Sequence, residues 1–505
     1  MDTKALRQKI LDLAIRGKLV PQDPNDEPAS VLLERIREQK KQMVKDGKLK
    51  PKDIKKDTVI FKGDDNLHYE KFPDGSVKCI EDEIPFNLPE GWEWARLKHI
   101  CMMVAGKPKP SEQIKHTPFE GSYPCFGGNG IRGYVDEYNR DGTFSIVGRQ
   151  GALCGNINVA SGKFYATEHA VITTIFTGID FDWCNYILEA LQLNKYATGA
   201  AQPGLSVANI LNVFVPVPPL NEQVIIGAKV SESIKLIDII EHEKASLQEI
   251  ANKIKSKILD LAIRGKLVPQ DPNDEPASVL LERIRAEKEE LIKQGKIKRN
   301  KKESVIFKGD DNSYYEKIGN KTENIDDQIP FDLPQGWIWC RGYSCFDGME
   351  STKPHGDFFD YIDIDAIDNQ NHCIKEAKHL PVTKAPSRAS RAVKNGSVLF
   401  SLVRTYLENI ALVDEKYCNC IASTGFYVCN SNGMLLPEFM YFLMISGYVV
   451  TGLNQFMKGD NSPSICKDDI ENWLYPVPPI KEQEIVSLKL KSILSTLKNI
   501  KKMLN

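Results

Sequence analysis

The chain has 505 residues, of which 42% are hydrophobic and 27% charged, so wholesale disorder is excluded and three or four folding units are expected. The 66 Lys and Arg residues nearly balance the 68 Asp and Glu residues, and the resulting net charge of −2 by itself gives no support to a nucleic-acid partner. The absence of a long apolar run, of a secretory signal and of any CxxC pair predicts a cytoplasmic protein with reduced thiols.

A repeat organises the chain. The 29 residues KILDLAIRGKLVPQDPNDEPASVLLERIR at positions 9–37 recur without a change at positions 257–285. The match continues with VIFKGDDN, which occupies positions 59–66 and again positions 305–312. Self-similarity at a fixed period is the mark of a duplicated structural unit.

The repeat extends to the far side of a variable region. IPFNLPEGWEW at positions 84–94 corresponds to IPFDLPQGWIW at positions 329–339, after which the similarity fades. It returns as GAAQPGLSVANILNVFVPVPPLNEQ from Gly199 and as GDNSPSICKDDIENWLYPVPPIKEQ from Gly459. The chain therefore consists of a frame, a variable block and a frame, twice over.

The first variable block, about Leu97 to Val215, contains short apolar runs separated by Gly, Asn and Asp. Phe144–Val147 and Ala170–Thr174 are typical of strands, so we expect a mostly β domain with some helix. A literal GxGxxG lies at positions 128–133. A dinucleotide site needs those glycines to open a helix, whereas the YVDEYNRDG that follows predicts strand and turn, which favours a glycine-rich surface loop.

A long helix is predicted after the first PVPPLNEQ corner. Its apolar positions are Ile226, Val230, Ile237, Ile240, Leu247, Ile250, Ile254, Ile258 and Leu261. These spacings of three, four and seven favour a helix with a coiled-coil seam, from Gln223 to Gly265, about 65 Å long. Pro218 and Pro219 set its start, and Gly265 followed by Pro269 is a plausible stop. This length favours a spacer over a compact core helix.

The second variable block, about Arg341 to Tyr475, contains DYIDIDAIDNQNH. Its four aspartates, at positions 360, 363, 365 and 368, lack the alternating ligand positions and terminal glutamate of a calcium loop. Strand alternation followed by a turn is the favoured interpretation. A further strand is expected at Ser397–Val403.

The two ends of the chain correspond to the two halves of the central helix. The C-terminal segment aligns at an offset of 260, so Asn505 corresponds to Ala245, and the N-terminal segment aligns at an offset of 248, so Met1 corresponds to Glu249. Together the ends make a second, split copy of the helix. The hypothesis that follows is a pseudo-twofold particle with antiparallel long helices, neighbouring termini and one variable block at each end.

These frame residues carry a family resemblance that covers nearly the whole chain. A GWEW-type opening, a divergent block, a PxPPLxEQ corner and a long helix resemble the specificity (S) subunit of type I restriction–modification systems. The corner occurs at Pro216–Gln223 and at Pro476–Gln483, where Ile480 replaces the leucine. The charged segment at about residues 30–82, with its second copy, is an elaboration of that plan whose role the sequence leaves open, a partner interface being one option.

The resemblance implies an α+β fold with two pseudo-symmetric α/β target-recognition domains, separated by a long antiparallel helical coiled-coil spacer. The expected segments are an N-terminal helical conserved region at 1–82, target-recognition domain 1 at 83–222, a central long helix with a repeat of the N-terminal region at 223–328, target-recognition domain 2 at 329–482 and a C-terminal conserved helix at 483–505.

The resemblance also implies partners. They are double-stranded DNA with an asymmetric bipartite target, two methyltransferase (modification) subunits and restriction (translocase and nuclease) subunits, and no membrane. No cofactor is expected on this chain, because S-adenosylmethionine, ATP and Mg belong to the partner subunits.

Side-chain chemistry nominates DNA-binding residues in the first block and in the basic, hydroxyl-rich loop of the second. Arginine pairs with guanine and asparagine or glutamine with adenine, while Lys, Arg and Ser also contact phosphates. The candidates are Tyr123, Asn129, Arg132, Arg149 and Gln150 in the first block and Lys384, Ser387, Arg388, Arg391 and Arg404 in the second. Each could equally be an ordinary turn or surface residue. The second block has 12 Lys and Arg against 16 Asp and Glu, which argues against DNA binding driven simply by overall positive charge.

Two matched loops precede the proline corners, at Gly199–Leu205 and Gly459–Ile465. In the resembling fold, Gln202, Lys458 and Asn461 are candidates for DNA contact. A purely structural turn is the alternative.

Catalytic motifs are missing from the sequence. There is no Asn/Asp-Pro-Pro-aromatic motif of an adenine methyltransferase and no GxxxxGK[ST] phosphate loop. Cys418 and Cys420 with His372 and His379 lack a zinc spacing. Glu168 and His169 beside Cys154 are interpreted as structural. A non-catalytic DNA-specificity subunit is therefore predicted, with a helical scaffold for two protein-binding modules as the main alternative and a single-chain enzyme as a third.

Overall fold

The computed structural model describes residues 2–151, 153–199, 203–297 and 303–504. The chain forms two compact units, Met1–Lys244 and Ala245–Asn505. Each contains both helices and β-sheets, so the mixed helix and sheet class expected from the sequence is confirmed. Among the described residues, no helix is both long and apolar enough to cross a membrane.

The first unit contains short helices around several small sheets. The helices are α1 (Thr3–Ile15), α2 (Ala29–Lys45), α3 (Pro51–Ile54), α4 (Leu97–Ile100), α5 (Phe181–Ala190) and α6 (Val207–Leu211). The strands are β1 (Val59–Lys62), β2 (His68–Lys71), β3 (Val77–Cys79), β4 (Glu93–Arg96), β5 (Cys101–Ala105), β6 (Tyr123–Gly127), β7 (Gly130–Val135), β8 (Arg140–Asp141), β9 (Phe144–Gly148), β10 (Ile157–Ala160), β11 (Lys163–Ala166), β12 (Ala170–Ile175) and β13 (Phe214–Val217). The two strands predicted in this block, β9 and β12, are confirmed and each is one residue longer than expected.

Two four-stranded sheets form the variable block of the first unit. One has the order β10-β9-β12-β5 and the other the order β7-β6-β11-β8, in which β6 and β11 are parallel. The frame contributes a three-stranded sheet, β1-β2-β3, and the pair β13-β4. The pair joins the GWEW segment to the strand before the proline corner, because Trp94 lies opposite Pro216.

The long central helix, α7, covers Leu220–Ile263 and passes through the boundary between the units. It begins three residues before and ends two residues before the predicted bounds. Gly265 ends it as expected, with a φ of +65° that L side chains rarely adopt, and Lys266 N–H donates to the Leu261 carbonyl at 2.8 Å. A Cβ at Gly265 would lie 2.3 Å from Cγ of Pro334, so close packing also requires glycine here.

The second unit has the following elements. The helices are α8 (Ala277–Lys293), α9 (Gly342–Cys345), α10 (Pro437–Met444), α11 (Gly447–Asn454), α12 (Lys467–Asn472) and α13 (Ile480–Leu504). The strands are β14 (Ser304–Lys308), β15 (Tyr314–Ile318), β16 (Lys321–Asn324), β17 (Ile338–Arg341), β18 (Phe346–Asp347), β19 (Phe358–Ile362), β20 (Ile367–Asp368), β21 (Cys373–Ile374), β22 (Lys378–Pro381), β23 (Ala389–Ala392), β24 (Val398–Ser401), β25 (Ile410–Leu412), β26 (Ile421–Ser423), β27 (Phe426–Ser431) and β28 (Leu474–Val477). The predicted strand Ser397–Val403 is the shorter β24.

The second variable block repeats the sheet topology of the first. Its sheets have the orders β18-β27-β24-β25 and β22-β19-β26-β23, and β19 and β26 are parallel. Strand by strand, β5, β12, β9 and β10 correspond to β18, β27, β24 and β25, and β6 and β11 correspond to β19 and β26. The aspartate-rich segment is strand followed by turn, as predicted, because Asp360 lies in β19 and Asp363 begins a 3-10 turn. Two blocks with little sequence similarity therefore share one scaffold.

The glutamine of each proline corner ties the start of its helix to the variable block. Gln223 is fully buried, accepts from the Asp180 N–H at 2.9 Å and donates to the Pro218 carbonyl at 3.0 Å. Gln483 is also fully buried and accepts from the Leu436 N–H at 2.7 Å. A buried amide must satisfy both its oxygen and its nitrogen, which fixes its position.

In each unit a terminal helix packs antiparallel to one half of α7. In the first unit Arg7 pairs with Asp238, while Leu11 further along α1 shares a hydrophobic cluster with Ile226 near the start of α7. In the second unit Lys501 contacts Asn252, while Leu490 shares a cluster with Leu259. The sequence correspondence between the chain ends and the central helix is therefore reproduced as packing within each unit.

Candidate nucleic-acid interface

Three segments of the first unit meet at one surface depression: the β6–β7 hairpin tip, the end of β9 and the turn between β11 and β12. Glycines allow the backbones to approach, because a Cβ on Gly148 would lie 1.9 Å from the carbonyl oxygen of Gly128. A Cβ on Gly128 would lie 3.4 Å from the carbonyl oxygen of His169, which itself accepts a hydrogen bond from the Arg149 N–H at 3.0 Å.

The depression brings several predicted DNA-binding residues together. It is lined by residues 127–132, 150, 151 and 169. Asn129, Arg132 and Gln150 are exposed there. Arg132 donates to Oγ of Ser111 at 2.7 Å, and Oδ1 of Asn129 accepts from Asn156 at 2.8 Å. A guanidinium and two amides in one open depression have the donors and acceptors that base edges require.

The other two candidates of the first block differ in position. Arg149 is half-buried beside Gln150, and its Nε is buried with no hydrogen-bond partner. Tyr123 lies at the opposite end of β6 from the hairpin tip, with its ring centroid 5.0 Å from that of Tyr138. The structure therefore does not bring Tyr123 to the depression.

The GxGxxG segment forms this hairpin rather than a phosphate loop. Gly127 pairs with Gly130 in register, and the turn at 128–129 joins the two strands. Gly130 has a φ of +88°, which explains glycine at that position. Gly130 and Gly133 lie within strand β7, so this segment does not open the helix that a pyrophosphate site needs.

Three polar residues that were not nominated for DNA binding lie at or beside the depression: His169 lines it, Glu168 precedes His169 in the chain, and Asn158 lies near Gly130. Oε2 of Glu168, Nδ1 of His169 and Nδ2 of Asn158 are buried atoms with no hydrogen-bond partner. Asn158 approaches the hairpin, because its Oδ1 lies 3.2 Å from where a Cβ on Gly130 would be. Cys154 is instead buried in a hydrophobic cluster. Only the strand pairing of distant segments reveals this grouping, although the unusual Glu-His pair was visible in the sequence.

In the second unit, the basic loop lies before β23. Lys384, Ser387 and Arg388 are exposed, whereas Arg391 is half-buried in β23 and its Nε has no hydrogen-bond partner. A surface depression here is lined by Arg388 with Asp363, Ile364, Asp365, Ile367, Asn369, Lys375 and Asn409. Arg388 thus lies among carboxylates, in keeping with the negative charge of this block.

The matched loops before the corners are each closed by a backbone bridge. Thr198 and Gly204 form a bridge in the first unit, and Lys458 and Ser464 form the equivalent bridge in the second. Lys458 is exposed. Gln202 lies outside the described residues. The described ends of the two loops are therefore paired in the same way.

Arg404 and Asn461 are brought together by this pattern. Arg404, with a φ of +48°, donates through its backbone N–H to the Pro463 carbonyl at 2.8 Å and through its guanidinium to the Asn461 carbonyl at 2.9 Å. Gly151, with a φ of +88°, occupies the equivalent place in the first unit and donates to the Pro203 carbonyl at 3.0 Å. The side chain of Arg404 is exposed, whereas the glycine at the equivalent position in the first unit has no side chain.

The histidines of the second block have separate surroundings. Burial lowers the pKa of His372 to about 4, and Nδ1 of His379 lies 2.9 Å from the Asp360 carboxylate on the surface. Within the described residues, no group of three or more His, Cys, Asp or Glu side chains is arranged to hold a metal ion.

Comparisons with known proteins point to one family. The family model described as the type I restriction modification DNA specificity domain matches residues 89–249, which include the first variable block, the frame segments on either side of it and the first part of α7. The EcoAI specificity subunit of a type I restriction enzyme from Escherichia coli is 26% identical in an alignment covering 99% of this chain and 90% of that protein. The EcoprrI specificity subunit, also from Escherichia coli, is 43% identical over 32% of this chain and 39% of that protein.

Solved structures give similar matches. The HsdS subunit from Thermoanaerobacter tengcongensis is 33% identical over 34% of this chain and 46% of that chain, with a TM-score of 0.33. The S subunit of a type I restriction–modification system from M. genitalium is 15% identical over 83% of this chain and 94% of that chain, with a TM-score of 0.34.

Proposed function

We propose that this chain, which belongs to the specificity subunits of type I restriction–modification systems, recognises an asymmetric DNA target split into two half-sites. The observation that carries the proposal is the duplicated scaffold with different surface chemistry. The two blocks share sheet topology, yet one offers the depression around Asn129 and Arg132 and the other offers Arg388 and Arg404. Different side chains on one scaffold select different bases.

The helices are the spacer in this proposal. α7 joins the two units without a break, and α1 and α13 pack antiparallel to its two halves. A helix of fixed length between two recognition domains leaves a fixed gap of unread bases between the half-sites. The five segments with bounds at 82, 222, 328 and 482, the coiled-coil character of the spacer and the proximity of the termini belong to the same proposal.

The chain itself is proposed to be non-catalytic. Two methyltransferase subunits bind the duplicated helical frame, and restriction subunits join them to add cleavage driven by ATP. S-adenosylmethionine, ATP and Mg are bound by those partners. Support comes from the frame, because 29 identical residues occur in each unit and offer one kind of partner the same surface twice.

A genome-wide map of methylated adenine in the host, with and without this gene, tests the proposal. We expect loss of one split, asymmetric motif when the gene is deleted. An unchanged map in a strain whose methyltransferase is expressed and co-purifies with this chain would contradict it and favour the helical scaffold for protein-binding modules.

Single substitutions assign each block to its half-site. Arg132→Ala should relax one half-site at a cost of about 1–3 kcal/mol, and Arg388→Ala should affect only the other. Equal weakening of both half-sites by either variant would mean that the assignment of one block to one half-site is wrong.

A further inference from the structure

We propose that Glu168 and His169 contact a base in the half-site of the first unit, with the carboxylate of Glu168 accepting a hydrogen bond from an exocyclic amino group, cytosine N4 or adenine N6. This inference rests on the proposed function. It assigns a role to a pair whose proximity in sequence had been interpreted as structural.

The position of the pair supports a contact with DNA. Glu168 and His169 form the turn between β11 and β12, and His169 lines the same depression as Asn129, Arg132 and Gln150. Carboxylates accept from amino groups in the major groove, where arginine and amide side chains also recognise bases. The turn thus places an acceptor next to a depression whose other polar side chains are mainly donors or amides.

Unsatisfied hydrogen-bonding atoms lie on His169, which lines this depression, and on its neighbour Glu168 and on Arg149, which precedes the lining residue Gln150. Oε1 of Glu168 lies 3.4 Å from Nε2 of His169, but Oε2 of Glu168 and Nδ1 of His169 lack partners, as does Nε of Arg149. Native proteins leave few buried polar atoms unpaired, because each is costly. The Glu168 and His169 side chains as a whole are 38% and 37% exposed, so part of each group is open to a ligand although Oε2 and Nδ1 themselves are buried.

The second unit shows that the scaffold does not need this pair. The equivalent turn, between β26 and β27, is Thr424–Gly425, and the Gly425 carbonyl accepts from the Leu402 N–H at 2.8 Å. The His169 carbonyl accepts from Arg149 in the same way at 3.0 Å. Because Thr and Gly form the same turn, the carboxylate and imidazole are not required by the fold, which argues for a role specific to the first half-site.

The test is the methylated motif produced in cells by the full chain with its methyltransferase, for the natural chain, Glu168→Gln and Glu168→Thr. Gln has the shape of Glu but replaces one acceptor oxygen by a donor, and Thr is the residue that the second unit holds in this turn. Both variants should lower methylation of the natural motif by about tenfold or more through one position of one half-site, and Gln should shift the preference there toward a keto base, guanine or thymine. Glu120→Gln, an exposed change in the same block and outside the lining of the depression, is the matched control and should leave the motif unchanged.

The outcomes separate this inference from the proposed function. A split motif that stays the same in both Glu168 variants overturns the inference and leaves the proposed function intact. Equal loss at both half-sites also overturns it, because a base contact acts at one position. If the natural chain with an active methyltransferase produces no split motif, the proposed function itself fails.

Discussion

The indole N–H of Trp92 donates a 2.8 Å hydrogen bond to the buried carboxylate of Glu222, and Trp337 makes the same bond, also of 2.8 Å, to Glu482. Each bond joins the GWEW-type opening of a variable block to the proline corner that ends it. The two motifs are more than a hundred residues apart in sequence, and this bond gives each of them its structural partner. The frame therefore closes each block at its base and holds the first turn of the helix that follows, which is α7 in the first unit and α13 in the second.

Removing this bond should loosen the first unit alone. Burial raises the pKa of Glu222 despite the bond from Trp92, so the buried carboxylate carries a desolvation cost at neutral pH. Glu222→Ala leaves the indole N–H unpaired and should cost about 1–3 kcal/mol, measured as faster hydrogen exchange in β4 and the first turns of α7. The second unit, with Glu482 intact, is the internal control and should exchange as before.

Glu222→Gln keeps an acceptor for Trp92 and removes the charge, so it should change the stability of the chain little at pH 7. Because the folded pKa is raised above 4.5, the stability that protonation gives the natural chain is fully present below pH 4.5 and is lost as pH rises through the raised pKa. As the pH is lowered, the natural chain should therefore become more stable relative to Glu222→Gln. No change in the difference between the two proteins with pH would contradict this account.

An ion pair of the frame predicts the opposite pH dependence. The guanidinium of Arg96 lies 2.6 Å from the carboxylate of Glu70, which also accepts a hydrogen bond from Thr58. Burial raises the pKa of Glu70, but the charge and hydrogen bonds of these partners outweigh burial. The pKa of Glu70 is therefore held below its usual value. The contribution of the ionised Glu70 to folding stability is present above pH 4.5 and is lost as pH falls through the lowered pKa. Arg96→Met strands a buried carboxylate and should cost about 3 kcal/mol at neutral pH.

The measurement is again hydrogen exchange in the first unit, here at β2 and β4 and at a series of pH values. Glu70→Gln combined with Arg96→Met is the matched control, because it removes both charges and should recover part of the loss. If Arg96→Met were as stable as the natural chain at neutral pH, the pair would not stabilise the frame.

Periodicity and motif spacing predicted elements of the fold that the structure confirms, whereas the DNA contacts stay a prediction. The apolar spacing from Ile226 to Leu261 and the prolines before it located α7 to within three residues at either end. Local side-chain chemistry nominated Asn129, Arg132 and Gln150, and the structure brings these three residues to one depression. It could not separate Tyr123 from them, because a five-residue strand carries its two ends apart, and it could not add Glu168 or Asn158, whose proximity depends on the pairing of β9 with β10 and β12.

The close approach of Gly148 to the β6–β7 hairpin predicts a selective loss of one half-site. Gly148→Ala would place a Cβ 1.9 Å from the Gly128 carbonyl oxygen and push the hairpin away, at a cost of about 1–3 kcal/mol. DNA binding by the full complex should then lose discrimination in the first half-site only. Gly204→Ala is the control, because a Cβ there meets only the Arg149 carbonyl oxygen, at 3.8 Å. Normal discrimination by Gly148→Ala would show that the hairpin position does not matter.

The length of α7 should set the gap between the half-sites. Arg7 contacts α7 at Asp238 and Lys501 contacts it at Asn252, so an insertion after Lys244 lies outside both contacts. Four helix-forming residues add about 6 Å of length and about 40° of right-handed rotation. One DNA base pair adds about 3.4 Å and about 35° of rotation in the same sense. The insertion should therefore lengthen the unread gap by one or two base pairs and leave both half-sites unchanged, as measured by the methylated motif. The same four residues inserted at Gly162, an exposed turn where a Cβ would meet nothing within 4 Å, should leave the gap between the half-sites unchanged.

An unaltered gap after the α7 insertion would mean that the length of α7 does not set the distance between the half-sites.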